Sequence, residues 1–172
     1  MIERVSNWFR TYGFADITEN LLIGAYPLDQ EDVKMLAWTG VRRVLNLVED
    51  QEYRSGEHER VAAALAEAGI EEHRLPLTDY GGLPAAALDA AVQEVIDSIQ
   101  LGVRSYVHCR AGWQRSAAVA AAVIALQDGV EIDDALAYVQ SRKPSADPLP
   151  RQREDLRRWW EGRDDRLAGS SE

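Results

Sequence analysis

The sequence predicts an α/β domain, with a central and largely parallel sheet of four to five strands flanked by helices. Three observations lead there. Short apolar, β-branched runs alternate with helical stretches in the succession β-α-β-α-β-α-β-α, which builds a parallel sheet with helices on its faces. Residues 116–127 form a helix that is apolar nearly all round its circumference, and such a helix belongs at the centre of a domain. The 172 residues contain no repeat and no low-complexity linker, so they suit one domain whose core needs no covalent staples.

Taken in order, residues 20–24 (NLLIG) and 41–48 (VRRVLNLV) read as strands. Between them, residues 29–39 read as a short helix stopped at Gly40. Residues 55–68 read as a helix with Ser55 as candidate N-cap and Gly69 as its stop. A strand follows over 70–77, with a proline near its end. Residues 84–101 read as a helix, Pro84 suiting its first turn and Gly102 following its last. The strand at 103–108 feeds the buried helix through a tight loop and is expected at the centre of the sheet. One later helix starts near Ile132, where Glu131, Asp133 and Asp134 complement its positive end, and another covers 149–161. Residues 167–172 are expected to fray.

The formal net charge of -10 argues against non-specific nucleic-acid binding, which needs a positive surface. It leaves an anionic substrate open, because salt screens distant surface charge over about 8 Å and a local basic pocket can prevail. The single cysteine rules out a disulfide framework and an intrachain disulfide switch, and fits a reducing compartment. No segment has the length and apolarity of a membrane span or signal peptide. A cytoplasmic protein with at most peripheral membrane contact is expected. His58 and His73 lack ligand spacing, so neither a metal nor another cofactor is expected. Nothing in the sequence sets an oligomeric state.

The one thiol lies in YVHCRAGWQRSAAVAAAV, between the strand at 103–108 and the buried helix. Ligands of parallel sheets sit beyond the carboxyl ends of the strands, where Cys109 lies. The loop from Arg110 to Arg115 must wrap so that a helix can start. That wrap turns the backbone N–H groups of Arg110, Ala111, Gly112, Trp113 and Gln114 toward one point, an anion cradle at a helix N-terminus. Gly112 permits the positive φ the wrap needs. Arg115 can fork two parallel hydrogen bonds onto a phosphate, and the same positive field favours a thiolate at Cys109. The combination implies phosphoryl transfer through a phosphocysteine. A lone buried cysteine is more often inert packing, and here it is the spacing to Arg-Ser that points to chemistry. Asp79 follows a strand and precedes two glycines that could hinge, so it is a candidate acid; it would also make an ordinary turn residue.

HCRAGWQRS, with the motif HC-x5-R and then Ser, resembles the signature of the cysteine-dependent protein tyrosine phosphatases, in their dual-specificity branch. The resemblance extends over residues 17–159. The stretch ENLLIGAYPLDQEDVKMLAWTGVRRVLNLVED is similar to the family's opening strand, helix and Val-x-Asn strand. LPLTDYGGLP resembles its acid loop, and SRKPSADPLPRQREDL its closing helical segment. Within the branch the likeness is greatest to the mitochondrial phosphatidylglycerophosphate phosphatase type, whose acidic-tyrosine loop is echoed by Glu49-Asp50-Gln51-Glu52-Tyr53. The N-terminus lacks the arginine-rich character of a mitochondrial leader, so that location is not expected to carry over.

The resemblance implies that Cys109 is the nucleophile and that Arg115 clamps the phosphoryl oxygens. Ser116 would donate to the sulfur, His108 would support the loop, and Asp79 would protonate the leaving oxygen. The substrate would be a phosphorylated lipid head group, with a phosphoprotein as runner-up. A catalytically weak phosphate-binding module of the same fold is the alternative. Two residues depart from common patterns. Trp113 either rims the pocket mouth or packs beneath the loop. Arg110 either favours a more anionic substrate or pairs with Glu52.

Overall fold

The structure is a computed structural model describing residues 4–169. The chain runs α1 (Asn7–Tyr12), β1 (Phe14–Thr18), β2 (Leu21–Gly24), α2 (Gln30–Trp38), β3 (Arg43–Asn46), α3 (Glu57–Glu67), β4 (Glu71–Arg74), α4 (Ala85–Gln100), β5 (Ser105–His108), α5 (Arg115–Asp128), α6 (Ile132–Arg142), α7 (Pro150–Glu161) and α8 (Arg163–Gly169). A 3-10 turn occupies Asp50–Glu52.

The strands form one sheet in the order β1-β2-β5-β3-β4. β5 is central, with β2 and β3 parallel to it on either side and β4 parallel beyond β3; only β1 runs antiparallel, against β2. This is the expected α/β architecture with its expected central strand. Gly24 and Asn46 both stand opposite His108, so three neighbouring strands end level. The chain leaves β2 and returns on the far side of β5, which makes this end a topological switch point.

The buried residues divide between the two faces. On one face Val33 and Leu36 of α2 meet Val61 and Leu65 of α3, together with Phe9 of α1. On the other lies α5, every residue of which from Arg115 to Ala125 is buried. Its alanines let α4, α6 and α7 pack close, so this stretch of the helix has no solvent face.

Three local differences from the sequence reading have physical causes. β1 is not predicted, because FADIT buries only Ile17 and carries little hydrophobic signal. α1 is not predicted either; Ser6 caps it by accepting from the Phe9 N–H, and Asp32, fully buried on α2, accepts from both the N–H and hydroxyl of Ser6. Ser55 is not the N-cap of α3, for Gly56 takes that position at φ 76° without a side-chain cap. The backbone of α8 runs to Gly169, and the expected fraying of residues 167–172 falls in part on residues 170–172, which lie outside the described residues.

Candidate active site

The loop after β5 turns back into α5 at the level end of the three strands. Gly112 sits at φ 75°, and a Cβ there would lie 2.5 Å from the carbonyl carbon of Gly24. Only glycine lets the loop close down on the end of β2. Among the described residues, none of the backbone N–H groups from Arg110 to Gln114 donates to a protein acceptor. Left unpaired at the start of a buried helix, they are available to an anion, which is what the expected cradle requires.

Cys109 is 3% exposed and its Sγ lies 3.3 Å from Ser116 Oγ, the contact anticipated for that pair. His108 is buried behind the loop, where its Nδ1–H donates to the Cys109 carbonyl at 3.2 Å. Burial pushes its pKa down to about 3, opposed by that hydrogen bond. The ring is therefore neutral at physiological pH and serves the loop backbone.

Arg115 is almost wholly buried, at 1% exposed. The sequence reading assigns its whole fork to a phosphate. Instead, Nη1 and Nη2 clasp Glu52 at 2.8 and 2.7 Å, and Nη1 also donates to the Leu77 carbonyl at 2.9 Å. Nε remains buried with no hydrogen-bond partner among the described residues. Burial works against the guanidinium charge, but the Glu52 hydrogen bonds and the fields of Cys109, Glu52 and Asp79 outweigh it and raise the pKa above its ordinary value. The cation is thus locked on, with its two Nη atoms held by the protein and only Nε without a partner among the described residues. Sequence reasoning assigns Glu52 no role in bracing Arg115. It is 63 positions away in the chain, and its place within the acidic-tyrosine loop is the only signal.

Asp79 reaches the same guanidinium, with Oδ1 3.2 Å from Nη2. Its loop is a tight turn in which Gly81 N–H donates to the Thr78 carbonyl at 2.9 Å, and Tyr80 adopts φ 58°. Cys109, Arg115, Ser116 and Asp79 are therefore brought together, with His108 behind them.

Above the cradle lies a cavity of about 330 Å³ that includes Asp79, Cys109, Arg115, Ala111 and Gln114 in its walls. Trp113 is 44% exposed, lines the cavity and meets Tyr12 edge-on at 5.4 Å, so it is a rim residue and not packing beneath the loop. Arg110 does not pair with Glu52, which Arg115 occupies; its guanidinium instead lies over Trp8 at 5.4 Å. Trp8 Nε1–H in turn donates to the Arg110 carbonyl at 2.8 Å. Trp8 and Tyr12 bring α1 into the site, a contribution invisible in the sequence because α1 itself carries no clear signal there. Lys143, which does not line the cavity, is also buried and donates to Ser145 Oγ at 2.6 Å. Burial lowers its pKa, partly opposed by the field of Cys109.

A parallel sheet that delivers a cysteine and a carboxylate-braced arginine into one anion cradle defines the cysteine-dependent phosphatase class. Residues 22–161 match the dual specificity phosphatase catalytic domain, and the chain belongs to that family. It is 33% identical over 109 residues to phosphatidylglycerophosphatase and protein-tyrosine phosphatase 1 of Mus musculus, covering 63% of this chain and 55% of the relative. It is 32% identical over 139 residues to phosphatidylglycerophosphate phosphatase PTPMT2 of Arabidopsis thaliana, covering 80% and 58%. The chain thus spans little more than half the length of these curated relatives. Among solved structures it is similar to PTPMT1 in complex with PI(5)P, at 27% identity and a TM-score of 0.75 over 90% of this chain and 98% of that one.

Proposed function

We propose that this protein hydrolyses phosphomonoesters through a phosphocysteine, with phosphorylated lipid head groups as its substrate class. One observation carries the reading: a buried, carboxylate-braced Arg115 with a free Nε beside the only thiol in the chain. In the first step Cys109 Sγ bonds to phosphorus as the ester P–O bond breaks, and Asp79 passes its proton to the departing oxygen. In the second step water attacks the phosphorus, Asp79 takes its proton, and the S–P bond breaks. Ser116 steadies the departing sulfur from 3.3 Å. Arg115 and the loop N–H groups hold the equatorial oxygens through both steps. Asp79 must give up Nη2 to an arriving phosphate, which frees it to act as the acid.

The lipid assignment is supported by the phosphatidylglycerophosphate phosphatases among the relatives and by the PI(5)P-bound neighbour. A phosphotyrosine substrate is the second reading, favoured by the aromatic walls that Trp8, Tyr12 and Trp113 give the cavity. A panel of phosphatidylglycerophosphate, phosphoinositides and phosphotyrosine peptides at matched salt separates them; a higher kcat/KM on the peptides rejects the lipid assignment. Cys109→Ser should abolish p-nitrophenyl phosphate turnover while phosphate still binds. Turnover retained in that variant rejects the phosphocysteine, and phosphate binding without turnover in the wild type leaves only a binding module.

A further inference from the structure

The acid loop is held from outside. Tyr80, next to Asp79, adopts a left-handed φ of 58° although it is not glycine, and such a backbone persists only where its surroundings impose it. The turn's own Gly81 N–H to Thr78 carbonyl hydrogen bond is one part of those surroundings, and α7 supplies the other. Gln152, wholly buried, donates from Nε2 to the Gly81 carbonyl at 3.1 Å and accepts at Oε1 from the Leu149 N–H at 2.9 Å. Asp155 Oδ2 accepts from the Leu83 N–H at 2.8 Å. Three positions apart, the two side chains share one face of the helix. They tie a carbonyl and an N–H of the acid loop to a single rigid element.

The same segment also grips the phosphate loop. The Asp147 N–H donates to the Trp113 carbonyl at 2.6 Å, and Gln140 Nε2 donates to the Ala146 carbonyl at 3.0 Å. Residues 146–155 therefore touch the Cys109 loop at one end and the acid loop at the other. Position 152 needs one donor and one acceptor without charge in a buried place, and a glutamine amide supplies both.

We propose that the first turn of α7 is a clasp that fixes the acid loop over the phosphate cradle, with Gln152 as the positioning residue for Asp79. This rests on the reading of Asp79 as the general acid. The clasp makes no contact with substrate; it sets where the carboxyl stands relative to the leaving oxygen.

The test compares kcat/KM on p-nitrophenyl phosphate, whose leaving group needs no proton, with an alkyl phosphate, whose leaving group does. Gln152→Met keeps the side chain's length and removes its hydrogen bonds. Asp155→Ala removes the second tie, on a side chain 21% exposed, so it decides the matter should Gln152→Met fail to fold. Both variants should lose on the order of 10²-fold on the alkyl phosphate and stay within about 3-fold on p-nitrophenyl phosphate, with vanadate affinity unchanged. Asp155→Asn keeps an acceptor for Leu83 and should recover most of the loss. Equal losses on both substrates, full alkyl phosphatase activity in Asp155→Ala, or weakened vanadate binding each overturn the clasp. Asp79→Asn is run beside them. If it shows no dependence on the leaving group, the general-acid reading falls and takes the clasp with it. If it shows that dependence and the clasp variants do not, the clasp alone falls.

Discussion

Arg115 and Glu52 form a buried ion pair, 1% and 7% exposed, and its asymmetry governs what substitution does. Removing one partner of such a pair leaves an uncompensated buried charge and destabilises by about 3–5 kcal/mol. Glu52→Gln should lower the urea midpoint accordingly. It should also reduce kcat/KM more than the stability loss explains, because the fork loses the brace that aims its free Nε. A variant with wild-type kinetics would show that the carboxylate does not orient Arg115. Arg115→Lys keeps the charge but cannot span both Glu52 and a phosphate, so kcat should fall by roughly 10²–10³-fold. Legibility divides at this scale by chain distance. Cys109, Gly112, Arg115 and Ser116 can be singled out because eight consecutive residues carry the loop and its constraints. Glu52 cannot be assigned from sequence, since its partner is set by how β3 lies against β5.

At the scale of elements, local periodicity locates α2, α4, α5, α6 and α7 because each buries a stripe or a whole surface. It misses β1, a short edge strand whose pairing with β2 comes from the hairpin and not from its own hydrophobicity. It also overextends the strand at 70–77. The regular ladder of β4 ends at Arg74, and Pro76 lacks the N–H that a longer strand would use, although the Leu75 and Leu77 N–H groups still reach the Asn46 and Leu47 carbonyls. The close packing of α5 gives a direct test. Ala120 is fully buried between helices, so Ala120→Leu should cost about 1–3 kcal/mol by overpacking, read as a fall in the denaturation midpoint. No change there would mean that the helix has slack its neighbours do not reveal.

For the whole molecule, stability should depend on pH through His108. Its folded pKa of about 3 lies below the ordinary value of 6.5, so between those values the unfolded chain binds more protons than the folded one. Stability is then full above about 6.5 and is lost as pH falls toward 3, at up to about 1.4 kcal/mol per pH unit for this one group. Asp32, raised by burial, acts with the opposite sign. Urea titrations across that window should show His108→Gln with a shallower slope than the wild type; parallel slopes would remove His108 as the source. Two of the five tryptophans, Trp8 and Trp113, border the cavity, and Trp8 is hydrogen-bonded to the backbone of the phosphate loop. The protein therefore carries its own optical reporter: an oxyanion settling onto that loop should alter indole emission, making occupancy readable in real time with no label attached.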